Sequence, residues 1–333
     1  MKIKSALCGN QAWQLERVFG QGRREHLELL TNLHSVPITS VNFPSRLKEL
    51  ENVEVLFTTW GMDYDLAAMV SQLPNLKACF HAAGTVQSFA RPLLNREIVL
   101  VSGWAANAIP VAQFTLGQIL LSLKGYFRNV RETRLEVNRG RIIGTQSAGI
   151  FGGVVALLGC GMVGKAVAES LRSLEIETLV FDPFLSVEEA KRLRVIPLSL
   201  EAAFKSADVV SNHLADLPGT RGLLGRNLFA SMRQNATFIN TGRGATVVEA
   251  DLIDSLLYRP DLTALLDVTS PEPPEEDSPL YSLPNVQLSS HIAGSVGKEL
   301  VRMADICLEE FESWSQGRPL KFQVTLRMLE NMA

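Results

Sequence analysis

Cysteine is scarce in this chain: Cys8, Cys79, Cys160 and Cys307 are the four in 333 residues, and no CxxC or Cys/His spacing joins them. That argues against a disulfide framework and against a zinc site, and no bound metal is expected. A basic excess is also missing. The net charge is −3 with both signs spread along the chain, so there is no stripe for a nucleic-acid backbone and no polybasic face for anionic lipid. The start, MKIKSALCGN, has too short an apolar run for a signal peptide, and polar residues interrupt the apolar stretches before the ~18 positions that a bilayer span needs. Neither a repeat of solenoid period nor a low-complexity tract is present. The expectation is a soluble cytoplasmic protein whose partner is a small molecule, with no nucleic acid and no membrane.

The length suits two domains of ordinary size. In the first third, the β-rich runs at 2–8, 53–59, 76–82 and 98–102 alternate with helical composition, which predicts a parallel sheet covered by helices. From Asn107, the stretch NAIPVAQFTLGQILLSLKGYF predicts a long buried helix, with Asn107 as its cap and Pro110 in its first turn. A second βα series follows, with strands at 154–158, 178–182, 207–213, 236–241, 262–268 and 286–290. Its last crossover, SPEPPEEDSPLYSLP, is proline-rich and predicts a loop with a short turn. Leu300, Met303, Cys307, Phe311 and Trp314 then fall at helical spacing, with Gly317 as a stop. Because the second series starts mid-chain and ends before this helix, an insertion is predicted. Residues 1–103 with 296–333 would form one α/β domain and 104–295 the other.

After VVALL comes GCGMVG, whose Gly159, Gly161 and Gly164 have GxGxxG spacing between a strand and a helix. In that setting the first glycine makes the turn, the second lets a pyrophosphate approach the backbone, and the third packs helix on strand. The next strand ends at Asp182, where a carboxylate accepts hydrogen bonds from adenosine ribose and repels a 2′-phosphate. Pro183 and Phe184 offer no cation for that phosphate, so NAD is expected rather than NADP. Ligands bind outside the carboxyl ends of such strands. Arg243, Glu272 and His291 follow three successive strands there: a planar cation for a carboxylate, a carboxylate, and an acid/base that titrates near neutrality.

The stretches LLGCGMVGKAVA, FINTGRGATVVEADLIDSLL, LLDVTSPEPP and SSHIAGS, with SNHLADLPGTRGLL after a strand, resemble the D-isomer-specific 2-hydroxyacid dehydrogenases. The resemblance covers residues 106–316. It implies two Rossmann-like doubly wound domains, the nucleotide-binding one inserted into a flavodoxin-like substrate domain, and a homodimer joined through the nucleotide domain. It further implies hydride transfer between NAD(H) and C2 of a small 2-oxo or 2-hydroxy acid of D configuration, with Arg243, Glu272 and His291 catalytic. Cofactor contacts would come from Gly159, Gly161, Met162, Val163, Gly164, Asp182, His213, Thr241, Gly242 and Asp267, and substrate contacts from Trp60, Gly61, Ala83, Gly84 and Thr85. The chain departs from the family's pattern in three places. TTWGM stands where a small-residue loop is usual, Gln87 or Ser88 replaces an acid after HAAGT, and Ser289-Ser290 replaces Thr-Pro before the histidine. An NAD-sensing, corepressor-like binding protein on the same fold, or a formate- or phosphite-type dehydrogenase, remains the alternative.

Overall fold

The computed structural model describes residues 2–61, 66 and 69–332; Met62, the last residue of TTWGM, lies outside the described residues. Two compact units divide the chain, Met1–Ala108 with Ser295–Ala333, and Ile109–Gly294. The first boundary falls inside a helix, Trp104–Leu123, which starts earlier than Asn107. Asn107 is not its cap. Its N–H donates to the Gly103 carbonyl at 3.2 Å, so it is already in the first turn, and its Oδ1 accepts the Ser295 N–H at 2.9 Å. Pro110 therefore lies inside the helix. This helix is long and apolar enough to cross a membrane by length and composition, because the residues that interrupt it are uncharged. Ala112, Ile119 and Leu123 are nonetheless core residues of the second unit.

In the first unit the parallel strands β1 (Lys4–Gly9), β2 (Asn32–Leu33), β3 (Ile38–Thr39), β4 (Val55–Thr58), β5 (Ala78–His81) and β6 (Val99–Ser102) form one sheet. Its order is β2-β1-β4-β5-β6, with β3 paired to β1. Alternation sends Ala6, Cys8, Leu56, Cys79 and Leu100 into one core, and Leu7, Val55, Phe57, Phe80 and Val101 into the other. Burial on both faces explains why these strands read as continuous apolar runs. On the second face Phe57 and Phe80 stack at 5.5 Å between ring centres, and Phe311 of the helix Val301–Ser315 meets Phe57 edge-on at 5.3 Å. That helix begins after a 3₁₀ turn at Gly297–Glu299 and stops before Gly317, whose φ of 67° ends it.

The second unit holds β7 (Val154–Leu158), β8 (Glu177–Phe181), β9 (Ile196–Pro197), β10 (Val209–Asn212), β11 (Thr237–Asn240), β12 (Thr263–Leu266) and β13 (Val286–Leu288). All pair in parallel, in the order β13-β12-β11-β10-β7-β8-β9. Phe204, Phe229 and Phe238 fill one face, and Val155, Leu157, Val180 and Ile239 the other. The chain reverses direction across the sheet at β7, between β8 and β10. That is where an open sheet of this kind leaves a crevice. Between β12 and β13 the proline-rich segment contains only a 3₁₀ turn, Pro279–Tyr281.

Candidate active site

At the switch point the glycine turn has the shape a dinucleotide requires. Gly159 has φ 90°, and a Cβ there would lie 3.1 Å from the His213 backbone, so β7 and β10 loops meet without room for a side chain. A Cβ at Gly161 would meet nothing within 4 Å, whereas one at Gly164 would sit 2.1 Å from the Gly159 carbonyl oxygen. Open space above the second glycine and a tight third are the division of roles that pyrophosphate binding needs. The helix Met162–Leu171 starts here, and its first intrahelical bond is from the Lys165 N–H to Gly161, leaving the N–H groups of Met162, Val163 and Gly164 for an anion. Asp182 closes the turn: Oδ2 accepts the Cys160 N–H at 2.6 Å and Oδ1 the Phe184 N–H at 2.8 Å. These residues fit NAD.

Beyond β10 and β11 a polar network sets the next loop. Asn212 and Asn240 are buried, and Asn212 Nδ2 donates to Asn240 Oδ1 at 3.0 Å and to Thr246 Oγ1 at 2.8 Å. Thr246 Oγ1 donates in turn to the Arg243 carbonyl at 2.7 Å, and Gly242 N–H to Asn240 Oδ1 at 3.1 Å. The network fixes the backbone from which Arg243 projects. The guanidinium is drawn below its usual pKa by burial, opposed by the carboxylates of Asp216 and Glu272. It stays charged. His213 lies beside this loop, with Nε2 3.0 Å from Ser211 Oγ and Nδ1 3.3 Å from Thr241 Oγ1, and burial pushes its pKa down to about 4. It is a neutral ring at physiological pH.

Glu272 follows β12. A Cβ at Gly244 would lie 2.0 Å from the Thr269 carbonyl oxygen, so the Arg243 turn and the Glu272 loop pack backbone on backbone. His291 Nδ1 stands 2.7 Å from Glu272 Oε1, with both side chains about half-exposed. His291 has φ 57°, a left-handed conformation uncommon for a residue with a Cβ. What holds it there is Asp267. This carboxylate is 2% exposed and accepts from Ser289 Oγ at 2.6 Å and from the Ile292 and Ala293 N–H groups at 2.9 Å. The Asp267 carbonyl also accepts the His291 N–H at 3.0 Å. Asp267, named from sequence as a cofactor contact, holds the loop that carries the histidine. Asn212, Asn240 and Thr246 were missed, although an asparagine closing each of two neighbouring strands was a visible signal.

The substrate residues named from sequence lie in the first unit, at the ends of β4 and β5. The Asn10 N–H donates to the Trp60 carbonyl at 3.4 Å, and Gly61, with φ 82°, lies against Asn10, where a Cβ would come within 2.4 Å. Ala83 is buried, and its carbonyl and that of Gly84 accept from Ser102 Oγ at 2.8 and 2.9 Å. Thr85 follows, partly buried. Gln87, which stands near an expected acid, turns away from this loop: its Nε2 donates to the Leu329 and Met332 carbonyls at 2.7 and 2.6 Å.

A family model described as "D-isomer specific 2-hydroxyacid dehydrogenase, NAD binding domain" matches residues 120–293. The D-3-phosphoglycerate dehydrogenase of Archaeoglobus fulgidus is 30% identical over 296 residues, covering 88% of this chain and 55% of that protein. The enzyme of the same name from Haemophilus influenzae is 31% identical over 290 residues, 82% of this chain and 68% of that one. The chain thus spans only about half the length of the first of these relatives. Among solved structures, the TT0316 protein of Thermus thermophilus superposes with a TM-score of 0.72 at 25% identity, covering 97% of this chain and all of that one. The apo D-mandelate dehydrogenase of Rhodotorula graminis gives a TM-score of 0.80 at 21% identity, covering 97% and 98%. With the family model matching over half of its length, this chain belongs to the D-isomer specific 2-hydroxyacid dehydrogenase family and carries that family's NAD-binding domain.

Proposed function

We propose that the protein is an NAD(H)-dependent oxidoreductase that interconverts a small 2-oxo acid and the D-2-hydroxy acid. The observation that carries this reading is the His291–Glu272 pair at 2.7 Å on the strand ends next to Arg243. Bound at the glycine turn, the nicotinamide cofactor supplies or accepts the hydride. Arg243 pairs with the substrate carboxylate and draws electron density from the C2 carbonyl. Glu272 accepts a hydrogen bond from His291 Nδ1–H, which fixes the ring and leaves Nε2–H to give its proton to the oxygen at C2 in reduction and Nε2 to take it back in oxidation. Asp182 favours NAD over its 2′-phosphorylated form. The domain limits that we assign to these roles are 104–295 for the cofactor and 1–103 with 296–333 for the substrate.

The working form that we assign is a cytoplasmic homodimer joined through the nucleotide unit. Support for the dimer comes from Leu135, Val137, Ile142 and Phe151, which are 54–79% exposed within one short stretch of that unit. Light scattering on the purified chain reads the assembly state. The activity is tested by following NADH oxidation with a panel of 2-oxo acids. Turnover of at least one, lowered by about a hundredfold or more in His291→Ala, is the expected result; cofactor binding without turnover would point to a sensor.

A further inference from the structure

Asp182 is not the only charged group beside the glycine turn. A 2′-phosphate on the adenosine ribose needs cations or a nest of N–H groups, and the loop after β8, Asp182-Pro183-Phe184-Leu185-Ser186, carries no lysine or arginine. Cations nevertheless stand close by. Lys165 lies in the first turn of the helix Met162–Leu171, with its N–H on the Gly161 carbonyl at 2.9 Å, and Arg192 lies in the last turn of the helix Val187–Leu193 that follows the Asp182 loop. The thiol of Cys160, whose N–H holds Asp182, feels both of them: burial and the Asp182 carboxylate push it up to about 11, Lys165 and Arg192 oppose that rise, and Glu189 adds to it. Asp182, Lys165, Glu189 and Arg192 therefore gather around one turn.

Both cations are already taken. Lys165 Nζ meets Glu189 Oε1 at 2.8 Å, Arg192 Nε meets Glu189 Oε2 at 2.8 Å, Arg192 Nη2 donates to Glu189 Oε1 at 3.0 Å, and Arg192 Nη1 reaches Glu169 Oε1 at 2.9 Å. Glu189 is the centre of the set. Its N–H donates to the Ser186 hydroxyl at 3.2 Å, which caps the helix and fixes the backbone, and the bonds from Arg192 and Lys165 draw its carboxyl down to about 2. Two carboxylates thus balance two cations. Ion pairs this exposed add little to stability, so their main consequence is where they leave Lys165 and Arg192.

We propose that Glu189 is a specificity-determining residue for the cofactor: it locks Lys165 and Arg192 into a closed network beside Asp182 and so withholds from a 2′-phosphate the cations that would bind it. The proposal rests on the reading of Asp182 as selecting NAD and deepens it. Asp182 repels the phosphate, and Glu189 keeps the flexible stem of Lys165 from reaching it.

The test is fluorescence titration of the full chain with NADH and with NADPH, which reads cofactor affinity without any substrate. Asp182→Ala removes the repulsion, and Glu189→Gln added to it releases Lys165, so the double variant should gain about a further tenfold in affinity for NADPH relative to NADH, as one charge-assisted bond is worth. Lys165→Met in the double variant should take that gain away. Glu169→Gln in place of Glu189→Gln loosens the same pair of helices and leaves Lys165 paired, so it should give no gain. A double variant whose NADPH to NADH ratio matches that of Asp182→Ala overturns the proposal and leaves the Asp182 reading intact, as does an equal gain from Glu169→Gln. If the wild type binds NADH and NADPH with equal Kd, the Asp182 reading fails and the proposal falls with it.

Discussion

At the carboxyl edge of the second sheet an arginine, a glutamate and a histidine stand on three adjacent strands, whereas the same edge of the first sheet carries amides, hydroxyls, small residues and Trp60. The first edge has a histidine too. His81 is buried and neutral, hydrogen-bonded to a threonine, while His291 is half-exposed and paired with a carboxylate. The same side chain is a structural tie in one unit and, in the proposed mechanism, the acid/base in the other, and the difference lies in partner and solvent, not in residue type. The arginine, glutamate and histidine that the proposed mechanism uses are gathered at the edge of the second sheet.

The sharpest way to break this contrast is to remove its charged member. His291→Ala should lower kcat by roughly a hundredfold to ten-thousandfold and leave the Kd for NADH unchanged, read by rapid kinetics and fluorescence titration. A comparable kcat loss in His81→Asn would erase the distinction. Next in size is Asp182→Ala, which should reduce the preference for NADH over NADPH by about tenfold, as one or two charge-assisted bonds are worth; equal kcat/KM for both cofactors in the wild type would remove the basis for that assignment.

Asp267→Asn comes third. The amide keeps the shape and loses acceptors for the Ser289, Ile292 and Ala293 donors, so the histidine loop should loosen. We expect kcat down by about tenfold and stability down by about 2 kcal/mol, with NADH affinity held. A selective loss of NADH affinity would instead favour a direct cofactor contact for Asp267. The smallest effect concerns acid. His81 and His213 have folded pKa values near 3 and 4, below the ordinary 6.5. The unfolded chain therefore takes up protons first: the stabilisation is complete above pH 6.5 and is lost as pH falls from there toward 3 or 4. Calorimetry should show Tm falling by roughly 5 °C between pH 7 and pH 5, and a flatter profile in His81→Asn.

Much of this was legible because a few motifs carry their own context. GCGMVG between strand and helix, and single polar residues at the ends of apolar strands, locate the second sheet's edge from sequence alone. Three things were not. β2, β3 and β9 are two residues each, too short for period-two alternation to register. The long helix began before Asn107 because Gly103 accepted its N–H, a tertiary choice that a cap-forming residue type does not reveal. Asp267 lies at a strand end like Glu272, and sequence offers no way to tell a carboxylate that faces solvent from one turned inward to a loop's own N–H groups.

The left-handed backbone of His291 sets stability against activity. Glycine adopts φ near 57° without a Cβ penalty, so His291→Gly should leave the folded chain as stable as the wild type or more so, by up to about 1 kcal/mol, while removing the proton donor. Directed evolution for heat resistance alone would drift toward that exchange, and a consensus drawn from thermally robust variants would lose the histidine that the proposed mechanism needs.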